Sequence, residues 1–121
     1  MIQYNGQTLA YIGDAVYELY VRQYFLKKGT ALVNDLHHKV IQITSANGQK
    51  KALERIENML SDSEKQIVKR GRNAESSKKP KNTSLQDYKH ATGFEALIGY
   101  HHLSNNHTRL KEILEHVIDC E

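Results

Sequence analysis

Two acidic residues in this sequence stand among residues that favour burial. Asp14 follows a glycine in the apolar stretch LAYIGDAVYELYVRQYFLKKG, and Glu95 lies within ATGFEALIGY. An unpaired buried carboxylate is costly, so each acid needs a basic partner, a backbone group to cap, or a metal ion. Two carboxylates that meet from different helices would suit Mg²⁺, which prefers oxygen ligands and keeps several of its waters.

For a single acid of this kind, a structural role is the favoured interpretation, either as a cap or as the partner of a distant lysine or arginine. Asp14 has no basic residue at helical offsets of three or four. Glu18 differs, because it stands four residues before Arg22 and is predicted to form a structural ion pair. Two matching acids, in a chain that also has a basic segment, shift the balance modestly toward a metal site.

Positive charge is concentrated in one segment, residues 69–81. The segment holds six basic residues against the single acid Glu75, a net charge of +5, whereas the whole chain carries +3 and the remainder therefore −2. This concentration is typical of a protein whose partner is rich in phosphate. A solvated basic loop would show the same composition, so the segment alone does not define a function.

The spacing of apolar residues predicts an all-α fold. Helices are expected over residues 9–28, 33–47, 49–60, 61–72, from 84 through FEALIGYHHL, and around 110–118. Ser61 and Glu64 have the spacing of a capping box, and Ser84 is expected to cap the following long helix. Asn47-Gly48 is predicted to separate the second and third helices. The basic segment therefore falls on a helix end and the polar loop that follows it.

Composition indicates one ordinary globular domain over residues 1–121, with 39% hydrophobic and 26% charged residues. No apolar run approaches the ~20 residues that span a bilayer. The N-terminal residues lack the basic and apolar regions of a signal peptide, and Cys120 has no second cysteine with which to form an internal disulfide. We therefore expect a cytoplasmic protein without a membrane segment.

The motifs LAYIGDAVYE and FEALIGY together resemble the catalytic domain of the ribonuclease III family. The similarity is closest to its short branch, Mini-ribonuclease III, which lacks a separate double-stranded-RNA-binding domain. The blocks KRGRNA and PKNT are particular to that branch, and the resemblance extends over nearly the whole chain. It implies an all-α, ribonuclease III-like catalytic domain that forms a homodimer.

The resemblance also implies that Asp14 and Glu95 are the catalytic residues and hold a divalent ion, Mg²⁺ with Mn²⁺ as a substitute. Two other acids of full-length ribonuclease III have no counterpart, because Ala10 and Thr92 occupy their positions. The Mini-ribonuclease III branch has the same two losses, so they do not predict an inactive enzyme. They imply more metal-bound water, with Thr92 either contacting such a water or serving packing.

By resemblance, the expected activity is hydrolysis of double-stranded RNA to 5′-phosphate and 3′-hydroxyl ends, with each site of the dimer cutting one strand. The main substrate would be the precursor of 23S ribosomal RNA, trimmed at both ends, and a ribosomal protein is a further candidate partner. Dimerisation would need an apolar surface, which the first helix offers in its tyrosines. Packing within one subunit explains these tyrosines nearly as well. They are Tyr11, Tyr17, Tyr20 and Tyr24.

RNA affinity would have to come from the catalytic domain itself, and segment 69–81 is its expected source. Lysine and arginine would contact the phosphates of an A-form duplex, so binding should weaken steeply with salt. The residues predicted to bind RNA are Lys69, Arg70, Arg72, Asn73, Lys78, Lys79 and Lys81.

The competing hypothesis is a non-catalytic double-stranded-RNA-binding or ribosome-assembly factor on the same fold. The two missing family acids favour it. Asp14 and Glu95 argue against it, because a binding protein gains nothing from acids that face phosphates. A third interpretation, a helical interaction protein with a basic loop, leaves both acids unexplained.

Overall fold

Six α-helices account for most of residues 4–74 and 81–118, the parts of the chain that a computed structural model describes. A short 3₁₀ turn follows the third helix, and the described residues contain no β-strand, which confirms the predicted all-α class. The helices are α1 (Gly6–Lys27), α2 (Val33–Thr44), α3 (Ala46–Ile56), α4 (Asp62–Arg72), α5 (Leu85–Leu103) and α6 (His107–Ile118), and the 3₁₀ turn spans Glu57–Met59.

Two helix starts lie where the sequence predicts them. The Ser61 hydroxyl accepts a hydrogen bond from the backbone N–H of Glu64 at 3.2 Å, and the Glu64 carboxylate accepts one from the Ser61 N–H at 2.8 Å. This capping box satisfies two backbone donors at the start of α4. Ser84 caps α5 in the same way, by accepting from the N–H of Asp87 at 3.0 Å.

One predicted boundary is wrong and another is displaced. Asn47 and Gly48 lie in the first turn of α3 and do not separate two helices. Ser45 explains this, because its hydroxyl accepts from the Gly48 N–H at 3.1 Å and caps α3 immediately after α2 has ended. α1 begins three residues earlier than predicted, because Asn5 caps it by accepting from the Thr8 N–H at 2.8 Å.

The long helix α5 lies at the centre of the bundle, where it packs against α1, α3, α4 and α6. Its Phe94 ring contacts the buried Tyr17 ring of α1 edge to face, with 4.9 Å between the centroids. Burying one large apolar side chain stabilises a fold by about 1.5–3 kcal/mol. Fully buried members of this core include Tyr17, Val21, Leu53, Ile56, Phe94, Leu97 and Ile113. None of the described helices has the apolar length that a membrane span requires.

Glycines allow α1 and α5 to cross with their backbones in contact. A Cβ atom added to Gly13 would overlap the carbonyl oxygen of Glu95, and one added to Gly99 would overlap the carbonyl oxygen of Leu9. The crossing is therefore closer than any larger residue would permit at either position. Its consequence for function is that Asp14, the residue after Gly13, is held beside Glu95.

A buried ionic cluster joins the start of α4 to α5 and α6. Glu64 accepts hydrogen bonds from Arg109 Nε at 2.9 Å and Nη2 at 2.8 Å, and from His101 Nε2 at 2.7 Å. The Arg109 hydrogen bonds hold the pKa of Glu64 at about 2, well below its usual value, despite the burial that opposes ionisation. Because every charge in the cluster is paired, this acid is part of the scaffold.

Candidate active site

Asp14 of α1 and Glu95 of α5 lie close enough for their carboxyl groups to interact through hydrogen bonding and through charge. The close approach of the two helices at Gly13 brings them together although they are far apart in sequence. Among residues 4–74 and 81–118, neither acid forms an ion pair with a lysine, arginine or histidine. The pair is therefore an uncompensated concentration of negative charge when both groups are ionised.

The two acids differ in exposure, which corrects the expectation that both are buried. Asp14 is exposed, whereas Glu95 is half-buried beneath it. The apolar residues around Asp14 in the sequence point elsewhere, because the helical period directs Leu9, Gly13 and Tyr17 to the buried side of α1. Asp14 can consequently face a ligand from solvent while Glu95 forms the floor of the site.

Sequence reasoning missed Gln49, a residue of α3 that contacts the same acid. Its side-chain amide donates to Glu95 Oε2 at 3.1 Å and to the backbone carbonyl of Thr44 at 2.9 Å. Gln49 is only 3% exposed, although it is polar. The block SANGQ contains it, but no spacing in that block indicates a contact with a residue so distant in the chain.

The site strongly perturbs the ionisation of Glu95. Burial raises the pKa of Glu95 from 4.5 to about 9, and the neighbouring Asp14 carboxyl adds to the increase through its hydrogen bond and its charge. The hydrogen bond from Gln49 acts in the opposite direction and does not offset these effects. At neutral pH this raised pKa favours the protonated form of Glu95 in the metal-free protein, and a bound cation would take the place of that proton.

This perturbation predicts a pH-dependent stability in the metal-free protein. Between pH 4.5 and 9 the unfolded chain releases the Glu95 proton while the folded protein retains it. The unfolded state then binds fewer protons, so the free energy of unfolding decreases as the pH rises through this range, by up to about 1.4 kcal/mol per pH unit.

Urea unfolding in EDTA at several pH values, compared with the Glu95→Gln variant, measures this contribution. The free energy of unfolding of the variant minus that of wild type should increase with pH across the same range. Parallel pH profiles for the two proteins would contradict the raised pKa of Glu95.

The positions of the two missing family acids do not supply further ligands. Ala10 is buried beside α5, and the Thr92 hydroxyl donates to the backbone carbonyl of Tyr88 at 2.9 Å. That bond supports the packing alternative for Thr92. Within the described residues, no group of three or more acidic, histidine or cysteine side chains is placed to share a metal ion. Glu18 forms the predicted structural ion pair with Arg22, at 3.1 Å.

The described part of the predicted RNA-binding segment lies at the end of α4 and just before α5. Its cationic side chains are exposed, as is Asn73, the C-cap of α4. Arg70 also donates to the backbone carbonyl of Tyr4, so it holds the start of α1 in addition to presenting charge. Lys78 and Lys79 lie outside the described residues, and the exposed members are Lys69, Arg70, Arg72, Asn73 and Lys81.

A cavity of about 760 Å³ opens between this segment and the start of α1. Lys69, Arg70 and Asn73 line it from α4, and Gln7 lines it from α1. Gln7 and Asp14 are seven residues apart, so they lie on the same side of α1, about 10 Å from each other along the helix axis. Gln7, which lines the basic cavity, and Asp14 are therefore exposed on the same side of α1.

Comparison with known proteins agrees with this architecture. The chain matches the ribonuclease III domain over residues 7–106. It is 47% identical to the Mini-ribonuclease 3 of Clostridium tetani, an alignment that covers 97% of this chain and 78% of the relative. It is 40% identical to that of Staphylococcus aureus, with 94% and 87% covered. A crystal structure of a Fusobacterium nucleatum protein has a TM-score of 0.86 and 32% identity, covering 97% of this chain and 93% of that one.

The chain therefore belongs to the ribonuclease III family, as its motifs predict. Its curated relatives are Mini-ribonucleases, which confirms the predicted branch within that family. The predicted enzyme class, an endoribonuclease, is confirmed with it.

Proposed function

We propose that this protein is a Mg²⁺-dependent endoribonuclease specific for double-stranded RNA, with Asp14 and Glu95 as its catalytic, metal-binding residues. The observation that carries the proposal is the meeting of these two carboxyl groups at the α1–α5 crossing, without a basic partner among the described residues. A structure that only needed stability would gain by replacing either acid with a neutral residue.

The donor set of the site fits a hard divalent cation. Both candidate ligands are carboxylates, and the exposure of Asp14 leaves room for water or for substrate phosphate oxygens around an ion. Burial and the neighbouring Asp14 carboxyl raise the pKa of Glu95, so ionisation of both acids is unfavourable unless a cation accompanies them. Mn²⁺ has similar ligand preferences and is the expected substitute.

A divalent ion bound to these carboxylates supplies Lewis acidity for phosphodiester hydrolysis. Asp14 would contribute a charged oxygen at the mouth of the site. Glu95 would contribute the second carboxylate from below, after releasing its proton on metal binding. The products would carry 5′-phosphate and 3′-hydroxyl ends, the outcome expected from the family resemblance.

The surface beside the acid pair provides the charge that a duplex requires. Lys69 and Arg70 line a cavity about 10 Å along α1 from Asp14, so one phosphate backbone could contact both regions. Phosphate contacts of this kind give affinity without reading sequence, and they weaken with salt. Lys78, Lys79 and Lys81 extend the same basic segment in the sequence.

Neutralising Lys78, Lys79 and Lys81 together, each to Gln, should weaken duplex binding by about tenfold or more at moderate salt and reduce the salt slope by about 3. A filter-binding titration at several salt concentrations measures both quantities. Lys27, Lys28 and Lys39, changed to Gln together, serve as the control, because they lie at the far end of α1 and on α2. Unchanged binding in the first variant, or an equal loss in the control, would contradict this role.

We propose a homodimer as the functional unit. Tyr11 is 79% exposed on α1, on the same side as Asp14, and Leu19 and Leu26 of this helix are more than half exposed. The other three tyrosines of α1 serve the subunit's own core, in which Tyr17 is fully buried. Tyr11 is therefore the aromatic residue of α1 that is left available for contact with a second copy.

The natural substrate we propose is the precursor of 23S ribosomal RNA, cleaved in the cytoplasm at both ends of the mature molecule. The family resemblance supports this substrate, and the acid pair with the basic cavity near it is compatible with any RNA duplex. A ribosomal protein that shapes the precursor is a further expected partner.

The experiment that tests the proposal incubates the protein with a long RNA duplex and with its separated strands, in Mg²⁺ and in EDTA. We expect the duplex to be cleaved in Mg²⁺ and not in EDTA. Removal by phosphatase would show that the products carry 5′-phosphate ends. Binding without cleavage, in both Mg²⁺ and Mn²⁺, would instead support a non-catalytic RNA-binding factor on this fold.

A further inference from the structure

Gln49 occupies a position that ordinary packing does not explain. It is a buried polar residue near the start of α3, a helix that carries neither proposed catalytic acid. Its amide nitrogen contacts Thr44 O and Glu95 Oε2, at 2.9 and 3.1 Å. One side chain thus joins the end of α2 to the acid in the floor of the proposed active site.

The orientation of the Gln49 amide follows from these contacts. The Thr44 carbonyl can only accept a hydrogen bond, so the NH₂ group of Gln49 must face it and also face Glu95. The opposite amide atom, Oε1, is buried and accepts no hydrogen bond from residues 4–74 and 81–118. A buried acceptor without a donor is costly. A role in capping the last carbonyls of α2 would explain the Thr44 contact. It would not explain the Glu95 contact or the burial of Oε1 without a donor.

A neutral donor has an advantage over a cation at this place. Lysine or arginine would stabilise an ionised Glu95, but its positive charge would repel a divalent ion. The Gln49 N–H favours the ionised carboxylate and restricts its rotation without adding charge. Donors of this kind around metal-binding carboxylates commonly set both ligand orientation and ion affinity.

We propose that Gln49 is a positioning residue that holds the Glu95 carboxyl group in the orientation needed to share a divalent ion with Asp14. The inference rests on the proposed function, because it assigns Gln49 a role in the same metal site. It adds a third helix to that site. α1 and α5 would carry the two metal-binding acids, and α3 would carry the residue that orients one of them.

The test compares Mn²⁺ binding to the RNA-free protein in wild type and Gln49→Met, by calorimetric titration. Methionine keeps the length of the side chain and removes its hydrogen bonds. We expect Mn²⁺ affinity to fall by about tenfold or more, with a matching rise in the Mg²⁺ concentration needed for half-maximal cleavage.

Arg55→Met provides a matched control on the same helix. Arg55 donates to the backbone carbonyl of Val117 at 2.7 Å, so its loss also removes a bond from α3 to a neighbouring helix, but away from the acids. Mn²⁺ affinity in this variant should equal that of wild type. If Gln49→Met does not fold, Gln49→Asn replaces it, because its amide is one methylene too short to maintain both contacts.

A double-mutant cycle separates positioning from general stability. If Gln49 acts through Glu95, Gln49→Met should not lower Mn²⁺ affinity further in a Glu95→Gln background. Wild-type affinity in the Gln49 variants, an equal loss in Arg55→Met, or additive losses in the cycle would each overturn the inference. Failure of wild type itself to bind Mn²⁺ or cleave duplex would instead refute the proposed function.

Discussion

An Asp14→Asn protein is expected to bind duplex RNA about as tightly as wild type and to cleave it roughly a thousandfold more slowly. A bound metal ion contributes several kcal/mol of charge stabilisation to phosphodiester hydrolysis, and each 1.36 kcal/mol corresponds to about a tenfold change in rate. Asparagine has the shape of aspartate but lacks its charge. Because Asp14 is exposed, the substitution should leave the fold unchanged.

Single-turnover cleavage of a labelled duplex in Mg²⁺, with binding measured in parallel, tests this expectation. Glu18→Gln is the control, since Glu18 lies one turn further along α1 and, among the described residues, forms an ion pair with Arg22 at the surface. Its cleavage rate should stay close to that of wild type. A fully active Asp14→Asn enzyme would exclude Asp14 from the catalytic site.

The second large effect is expected from Gly13→Ala. The added Cβ would overlap backbone atoms of Glu95 and Gly99, which cannot move without separating α1 from α5. We expect the free energy of unfolding to fall by about 4 kcal/mol or more, which is exceptional for a single methyl group. Any folded fraction should have weakened metal binding, because the two acids would be further apart.

Urea unfolding followed by circular dichroism measures this loss, at equal protein concentrations because the stability of the proposed dimer would depend on concentration. Gly29→Ala is the comparison, since a Cβ there meets no atom within 4 Å and the cost comes only from its positive φ of 104°. That cost should be about 1–3 kcal/mol. Equal stabilities of Gly13→Ala and wild type would show that the helices do not cross as closely as described.

Local signals made most of the helices predictable. The capping box at Ser61 and Glu64 and the cap at Ser84 lie within a few residues of the backbone groups they satisfy, so sequence spacing alone indicates them. The same argument failed at Asn47-Gly48, where the hydroxyl of Ser45 outweighs the preference of these two residues for turns.

The candidate site was predictable only in part, because its contacts join residues distant in the chain. Apolar neighbours in the sequence distinguish the two acids as candidate functional residues. Mainly the family resemblance predicts that they share one site. Periodicity could have shown that Asp14 faces away from Leu9 and Tyr17. No local signal distinguishes Gln49, whose partner Glu95 lies 46 residues further along the chain. Likewise, the spacing of Glu64 predicts a cap but not its burial against Arg109.

Proton release on metal binding tests the shared ion most directly. Mn²⁺ is titrated into the metal-free protein at pH 7 in two buffers of different ionisation enthalpy. The raised pKa of Glu95 predicts that binding releases about one proton per site and that Glu95→Gln abolishes both the release and most of the affinity. Mn²⁺ binding that releases no proton, or that persists unchanged without Glu95, would contradict an ion shared between Asp14 and Glu95.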